Sequence, residues 1–323
     1  MRKIIKFTTG TFAVVLVALF ATYFLSQNPI PPDTSALEED GESVWTKPDP
    51  VSLRITTVVT ASAEAPEGAM FEGGSWTKTR KLAHSAVLIC HPKGLLMFDT
   101  GLGVDIDAQF EDMPSFLKLL VAYEKGVPAI EQLDRESFCP NRDLSIVLSH
   151  LHWDHAGGVE DFPEAPVWTS ADELIYGRAL GNSGGYLKSQ FDGADIDWRT
   201  LTFGDGKQLS YSQSQDFFGD GSVVLVPISG HTEGSVGMIV SPAAGEKLFF
   251  TGDTTWASEG FHKPAHKSAL MRSIVDKDAD LLELEIQRVH ALLQRYPDLV
   301  VIPAHDMEAY IPGSIYPEFF TSE

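Results

Sequence analysis

Ser149-His150-Leu151-His152-Trp153-Asp154-His155-Ala156-Gly157-Gly158 is the stretch on which the reading of this chain turns. It follows the aliphatic run Leu144-Ser145-Ile146-Val147-Leu148, which has the length and composition of a short buried strand. A strand there delivers three histidines and an aspartate onto the loop at its carboxyl end. Loop side chains need not alternate, so neighbouring imidazoles can converge on one point. Imidazole nitrogen and carboxylate oxygen together suit one or two divalent ions. A single histidine at a strand end is ordinarily a satisfied polar residue. Three of the chain's ten within six positions, followed by Gly157-Gly158, point to metal.

Moving outward, the same arrangement recurs three times. Val223-Val224-Leu225-Val226-Pro227 leads to Gly230-His231-Thr232, Leu248-Phe249-Phe250 to Gly252-Asp253, and Leu299-Val300-Val301-Ile302-Pro303 to Ala304-His305. Each is an apolar strand, then a small residue, then a metal-capable side chain. The remaining pattern predicts strands over 53–60, 83–90 and 95–101, with His91-Pro92-Lys93-Gly94 turning the last two into a hairpin. Helices are predicted over 113–123, from Ser170 as N-cap with Glu173 at the capping-box position, and over 278–295. Strand runs flanked by helices fit an α/β class, a four-layer αβ/βα sandwich of two mixed sheets with helices outside.

The series His150-x-His152-x-Asp154-His155, with His231, Asp253 and His305 in that order, resembles the metallo-β-lactamase-fold hydrolase superfamily. The run 91–101, the cluster 150–158 and Gly230-His231-Thr232-Glu233-Gly234-Ser235 are most similar to its N-acyl homoserine lactonase-like branch. The resemblance implies that His150, His152 and His231 hold one ion, that Asp154, His155 and His305 hold a second, and that Asp253 bridges them. It also implies that Asp99 lies beneath the site and orients a ligand histidine. The class-defining β-lactamases of the fold carry cysteine in the second-metal site, and Asp253 points away from them. Zn²⁺ is the first expectation for both ions, and the same ligands accept Mn²⁺, Fe²⁺ or Co²⁺.

Two such ions share and acidify a water while polarising a carbonyl, which makes hydrolysis of an ester-like bond the expected reaction. Asp154 is the catalytic residue that passes a proton to the leaving alkoxide. A small-molecule lactone is the expected substrate, with a glyoxalase II-like thioesterase as the alternative and a non-hydrolytic metal-binding or redox module as the reading from another class. In the lactonase branch a tyrosine often stands three residues after the bridging aspartate. Here that position is Trp256, an N–H donor without a hydroxyl. Trp153, Trp256 and Phe261 are candidate walls of an apolar substrate pocket.

Composition sets the remaining bounds. Arg2, Lys3 and Lys6 precede the apolar residues 7–25, so residues 1–27 read as a signal anchor or signal peptide and place the enzyme outside the cytoplasm. Residues 28–50, with five prolines and an acidic run, read as a linker, and 51–323 as one hydrolase domain. The formal charge of −21 disfavours a nucleic-acid partner. Cys90 and Cys139 both sit in or beside apolar segments, where free cysteine is common, so free thiols are expected; an exported domain would also permit pairing. The sequence sets no oligomeric state.

Overall fold

The computed structural model describes residues 30–31, 51–118, 120–134, 138–140, 143–193, 195–242 and 247–321. The predicted hairpin forms as β2 (Thr79–His91) and β3 (Gly94–Phe98), with β1 (Arg54–Pro66) on the other side of β2. With β4 (Glu124–Lys125), β5 (Leu144–Val147), β6 (Val167–Ser170), β7 (Trp198–Leu201) and the C-terminal β13 (Phe320–Thr321), they form a mixed sheet. Its order is β13-β1-β2-β3-β5-β6-β7, with β4 on β1. A second sheet is built from β8 (Gln215–Asp216), β9 (Val223–Pro227), β10 (Val236–Val240), β11 (Lys247–Phe250) and β12 (Leu299–Ile302), ordered β12-β11-β10-β9-β8.

Period-two alternation decides which face each side chain takes. Val87, Ile89, Leu96 and Phe98 meet Leu225, Met238, Leu248 and Phe250 between the sheets. Their sequence neighbours Leu88, Leu95 and Met97 point to the other side of the first sheet, among Phe138, Tyr186 and Phe191. Three longer helices follow in the chain: α1 (Ala171–Leu180), α2 (Ala269–Val275) and α3 (Ala279–Arg295). Helix α3 lays Leu282, Ile286, Val289 and Leu292 on Val226, Ile239, Phe249 and Val301, the outer face of the second sheet. The Asp278 side chain caps its start by accepting the Asp280 and Leu281 N–H groups. The result is the expected sandwich of two mixed sheets with helices outside.

Several expectations change. The helix predicted over 113–123 shrinks to one turn, Ser115–Lys118, because the chain leaves it to pair β4 with β1. Cys90 and Cys139 are not free. They form a disulfide, their Cα atoms 5.4 Å apart in the outer core of the first sheet. Ile30, in the segment read as linker, is buried against the α3 side of the domain and donates its N–H to Pro264. The apolar stretch 7–25 lies outside the described residues, and no helix among the described residues is long and apolar enough to cross a membrane.

Candidate metal centre

Strands β3, β5, β9, β11 and β12 all end toward one edge of the sandwich, and the metal-capable side chains follow those ends. Backbone geometry there is specialised. Asp99, just after β3, adopts φ 58°, and Gly230, just before His231, has φ 127° with the Leu282 backbone so close that a Cβ would meet its nitrogen at 2.5 Å. A non-glycine residue in the left-handed region is costly and is kept where surrounding bonds demand it. At Asp99 those bonds are visible: its carboxylate accepts the Ser149 N–H at 2.7 Å, the Ser149 hydroxyl at 2.8 Å and His155 Nδ1–H at 2.8 Å.

The seven ligand candidates are all buried and, with His84, form three clusters (His150, His152 and His231; His150, His155 and Asp253; His84, Asp154 and His305) that divide into two adjoining groups. His231 Nε2 lies 3.1 Å from His150 Nε2 and 3.0 Å from His152 Nδ1. His305 Nε2 lies 3.1 Å from Asp253 and 3.4 Å from Asp154, and His155 Nε2 lies 3.2 Å from Asp253 Oδ1. Asp253 Oδ2 comes within 3.6 Å of His231, so this carboxylate touches both groups. Asp253 Oδ1 and His155 Nε2 are close yet misaligned, and each is a buried polar atom without a hydrogen-bond partner. Such orphans are uncommon in folded proteins and are explained by an ion between them.

Nitrogens facing away from the centre are anchored. Nδ1 of His150 meets Ser149 Oγ at 2.9 Å, His155 the Asp99 carboxylate, His231 Asp276 Oδ1 at 2.6 Å, and His305 the Ala83 carbonyl at 2.7 Å. Each anchor turns the Nε2 lone pair inward, the usual arrangement of ligand histidines. The donor set therefore fits two divalent ions.

Charge follows the same layout. Burial, reinforced by neighbouring imidazoles, pushes His150 and His152 well below the usual imidazole range. Burial also opposes charge on His155 and His305. At His155, Asp99, Asp253 and Asp154 outweigh it, and at His305 Asp253 and Asp154 do, so both pKa values rise. Asp253 and Asp154 feel the same pairs in reverse: burial would raise them, and the imidazoles hold both below the usual carboxylate range. A divalent cation entering here displaces protons from the second group more than from the first.

A cavity of about 290 Å³ opens onto the centre, touching His84, His152, Asp154, His231, Asp253 and His305. Its other walls are apolar, among them Leu82, Met113, Leu117, Trp153, Trp256 and Met271. Among the described residues no lysine or arginine lines it, and Glu64 is the only charged wall residue outside the metal cluster. Of the predicted wall residues, Trp153 and Trp256 line the cavity. Phe261 does not: it is fully buried under α3 with Ile286 and Val289, because the chain turns helical over Glu259–His262 and carries it inward. The Trp256 N–H is bound to Asp253 Oδ2 at 2.8 Å.

Four positioning residues had gone unrecognised. His84 of β2 meets Asp154 Oδ2 through Nδ1 at 2.9 Å. Asp276 receives both His231 and the fully buried Lys267, whose Nζ is 2.8 Å away. Glu173 does not close a capping box. Ser170 caps α1, while the Glu173 carboxylate accepts the Leu151 and Gly234 N–H groups and the Tyr186 hydroxyl, tying the 150–155 loop to the His231 loop. One sequence signal pointed to His84: a histidine inside an otherwise apolar strand. Asp276 and Lys267 lie in segments without periodicity and gave none.

The sequence profile of the Metallo-beta-lactamase superfamily matches residues 79–313. The chain is 25% identical over 239 residues to the N-acyl homoserine lactonase AttM of Rhizobium radiobacter, covering 72% of this chain and 85% of that protein. It is 28% identical over 252 residues to a probable metallo-hydrolase of Mycobacterium tuberculosis, covering 71% and 78%. Among solved structures, an N-acyl homoserine lactone hydrolase with N-hexanoyl-L-homoserine at its catalytic metal centre superposes with TM-score 0.64 at 16% identity, covering 83% and 98%. The dizinc quorum-quenching lactonase AidC gives 0.52 at 17% identity, covering 87% and 96%. With its strand-end histidines, buried aspartates and sandwich accounted for, the chain belongs to the metallo-beta-lactamase superfamily and is a metal-dependent hydrolase.

Proposed function

We propose that the protein is a dinuclear lactonase, opening lactones that carry an apolar substituent, and that it works outside the cytoplasm. The observation that carries the reading is the cavity, apolar on its walls, free of lysine and arginine among the described residues, and ending on the buried histidine–aspartate cluster. Bound at that cluster, two divalent ions would supply an acidified water and polarise the scissile carbonyl. In this reading His150, His152 and His231 hold one ion, Asp154, His155 and His305 the other, and Asp253 both. The cavity walls exclude bulk water and orient the ring by its apolar side. Asp154, facing the cavity, carries the proton released on attack and returns it to the leaving alkoxide. The Trp256 N–H contributes by fixing Asp253 and leaves the substrate carbonyl to other groups.

The likeness to N-acyl homoserine lactonases in sequence supports this substrate class over thioesters. So does wall chemistry: a glutathione thioester brings two carboxylates, and no lysine or arginine among the described residues lines the cavity to receive them. The Cys90–Cys139 disulfide supports an oxidising compartment. Metal analysis and a substrate panel test the reading. About two ions per chain are expected, with kcat/KM for N-acyl lactones at least about 100-fold above that for glutathione thioesters, a difference of about 2.7 kcal/mol in transition-state binding. Preference for the thioester would overturn the lactonase assignment, and one ion or none the dinuclear one.

A further inference from the structure

We infer that His84 is a positioning residue of the second metal site, fixing the rotamer of the Asp154 carboxylate by holding Oδ2, the oxygen that also lies 3.4 Å from His305 Nε2. The inference rests on the dinuclear reading above. His84 is almost wholly buried, and its Nδ1 lies 2.9 Å from Asp154 Oδ2. An ionised carboxylate only accepts, so Nδ1 carries the hydrogen. Each histidine anchored above has a partner that aims it, and His84 is the corresponding partner for Asp154.

The backbone makes this placement deliberate. β1 and β2 pair in regular register until a β-bulge between Val59 and Ala61, directly across from Ser85 and His84. The extra residue is Thr60, whose hydroxyl donates to the His84 carbonyl at 2.9 Å and accepts the Leu102 N–H at 2.8 Å. Bulges re-aim the side chains of a strand pair beside functional sites. The next residue along, Ala83, offers the carbonyl that anchors His305. Two consecutive residues of β2 thus support two ligands of the same proposed ion.

Stability alone does not account for the histidine. Its Nε2 is buried without a hydrogen-bond partner, a penalty that an aliphatic residue at this position would avoid. Leu82 and Ala86, the neighbours on the same face of β2, are aliphatic.

Zinc titration of the full chain against a chromogenic chelator tests the inference, with His84→Phe, the smaller His84→Ala, and His84→Asn. Asparagine places an amide N–H close to the position of Nδ1. In the Phe and Ala variants one of the two zinc ions is expected to bind about 10–100-fold more weakly while the other stays within about threefold. The Asn variant is expected to hold both within about threefold of the parent. Parent-like binding of both ions by either the Phe or the Ala variant overturns the inference. So does an Asn variant as weak as Ala, or an equal loss at both ions. A parent that holds fewer than two ions overturns the dinuclear reading itself, and that result is read before any variant.

Discussion

Glu72 shows how a single side chain sets a pH dependence away from the centre. Its carboxyl lies within the segment 63–76 that contributes to the cavity wall, with Oε1 lacking a hydrogen bond and 3.8 Å from the Arg272 guanidinium. Burial pushes its pKa up to about 7, with Arg272 only partly offsetting this. The folded chain therefore keeps a proton between the usual value of 4.5 and about 7, where the unfolded chain has lost it, so Glu72 lowers stability as pH rises through that window. Glu72→Gln is expected to stabilise the protein by about 1–2 kcal/mol at pH 8 and by much less at pH 5, allowing for screening at a half-buried site. Urea denaturation at the two pH values measures this, and equal gains at both would refute it. At this scale the sequence was legible wherever a ligand followed an apolar run, as at His231, Asp253 and His305. Phe261 misled because proximity in sequence to Asp253 carries no information about which way a short helical turn faces. His84 offered only its place among apolar strand neighbours, because its partner Asp154 lies 70 residues away in the chain and strand alternation says nothing of that contact.

Elements were read more securely than their joints. The β2–β3 hairpin, α3 and β12 are all legible from period and turn chemistry, since each buries one regular face. The disulfide was not, because pairing requires Cα atoms to approach, and Cys139 reaches Cys90 only after the 49-residue excursion beyond β2. That bond ties the end of β2 to the segment entering β5, the strand that presents the 150–155 loop. Closing a loop of this length restricts the unfolded chain, so the Cys90→Ser, Cys139→Ser double variant is expected to lose about 2–4 kcal/mol. Thermal denaturation of the parent with and without reductant checks the same quantity, and an unchanged midpoint would show the bond to be dispensable.

Over the whole molecule, a formal charge of −21 surrounds a cavity with no lysine or arginine among its described wall residues. Neutral substrates approach without penalty, while anionic ones are repelled over distances that salt screens. For an anionic ester, kcat/KM is expected to rise severalfold between about 0.02 and 0.5 M NaCl, and for a neutral lactone to change less than about twofold; stopped assays across that range decide it. The Cα framework also divides labour. The candidate metal ligands hang from strand ends fixed by two sheets. Much of the apolar wall, by contrast, comes from connecting segments around Trp76, Met113–Leu120 and Leu270–Val275, outside both sheets. Chemistry and selectivity are therefore separable for inheritance: a lineage can exchange wall segments, and with them its range of substrates, while the strands that carry its metals stay untouched.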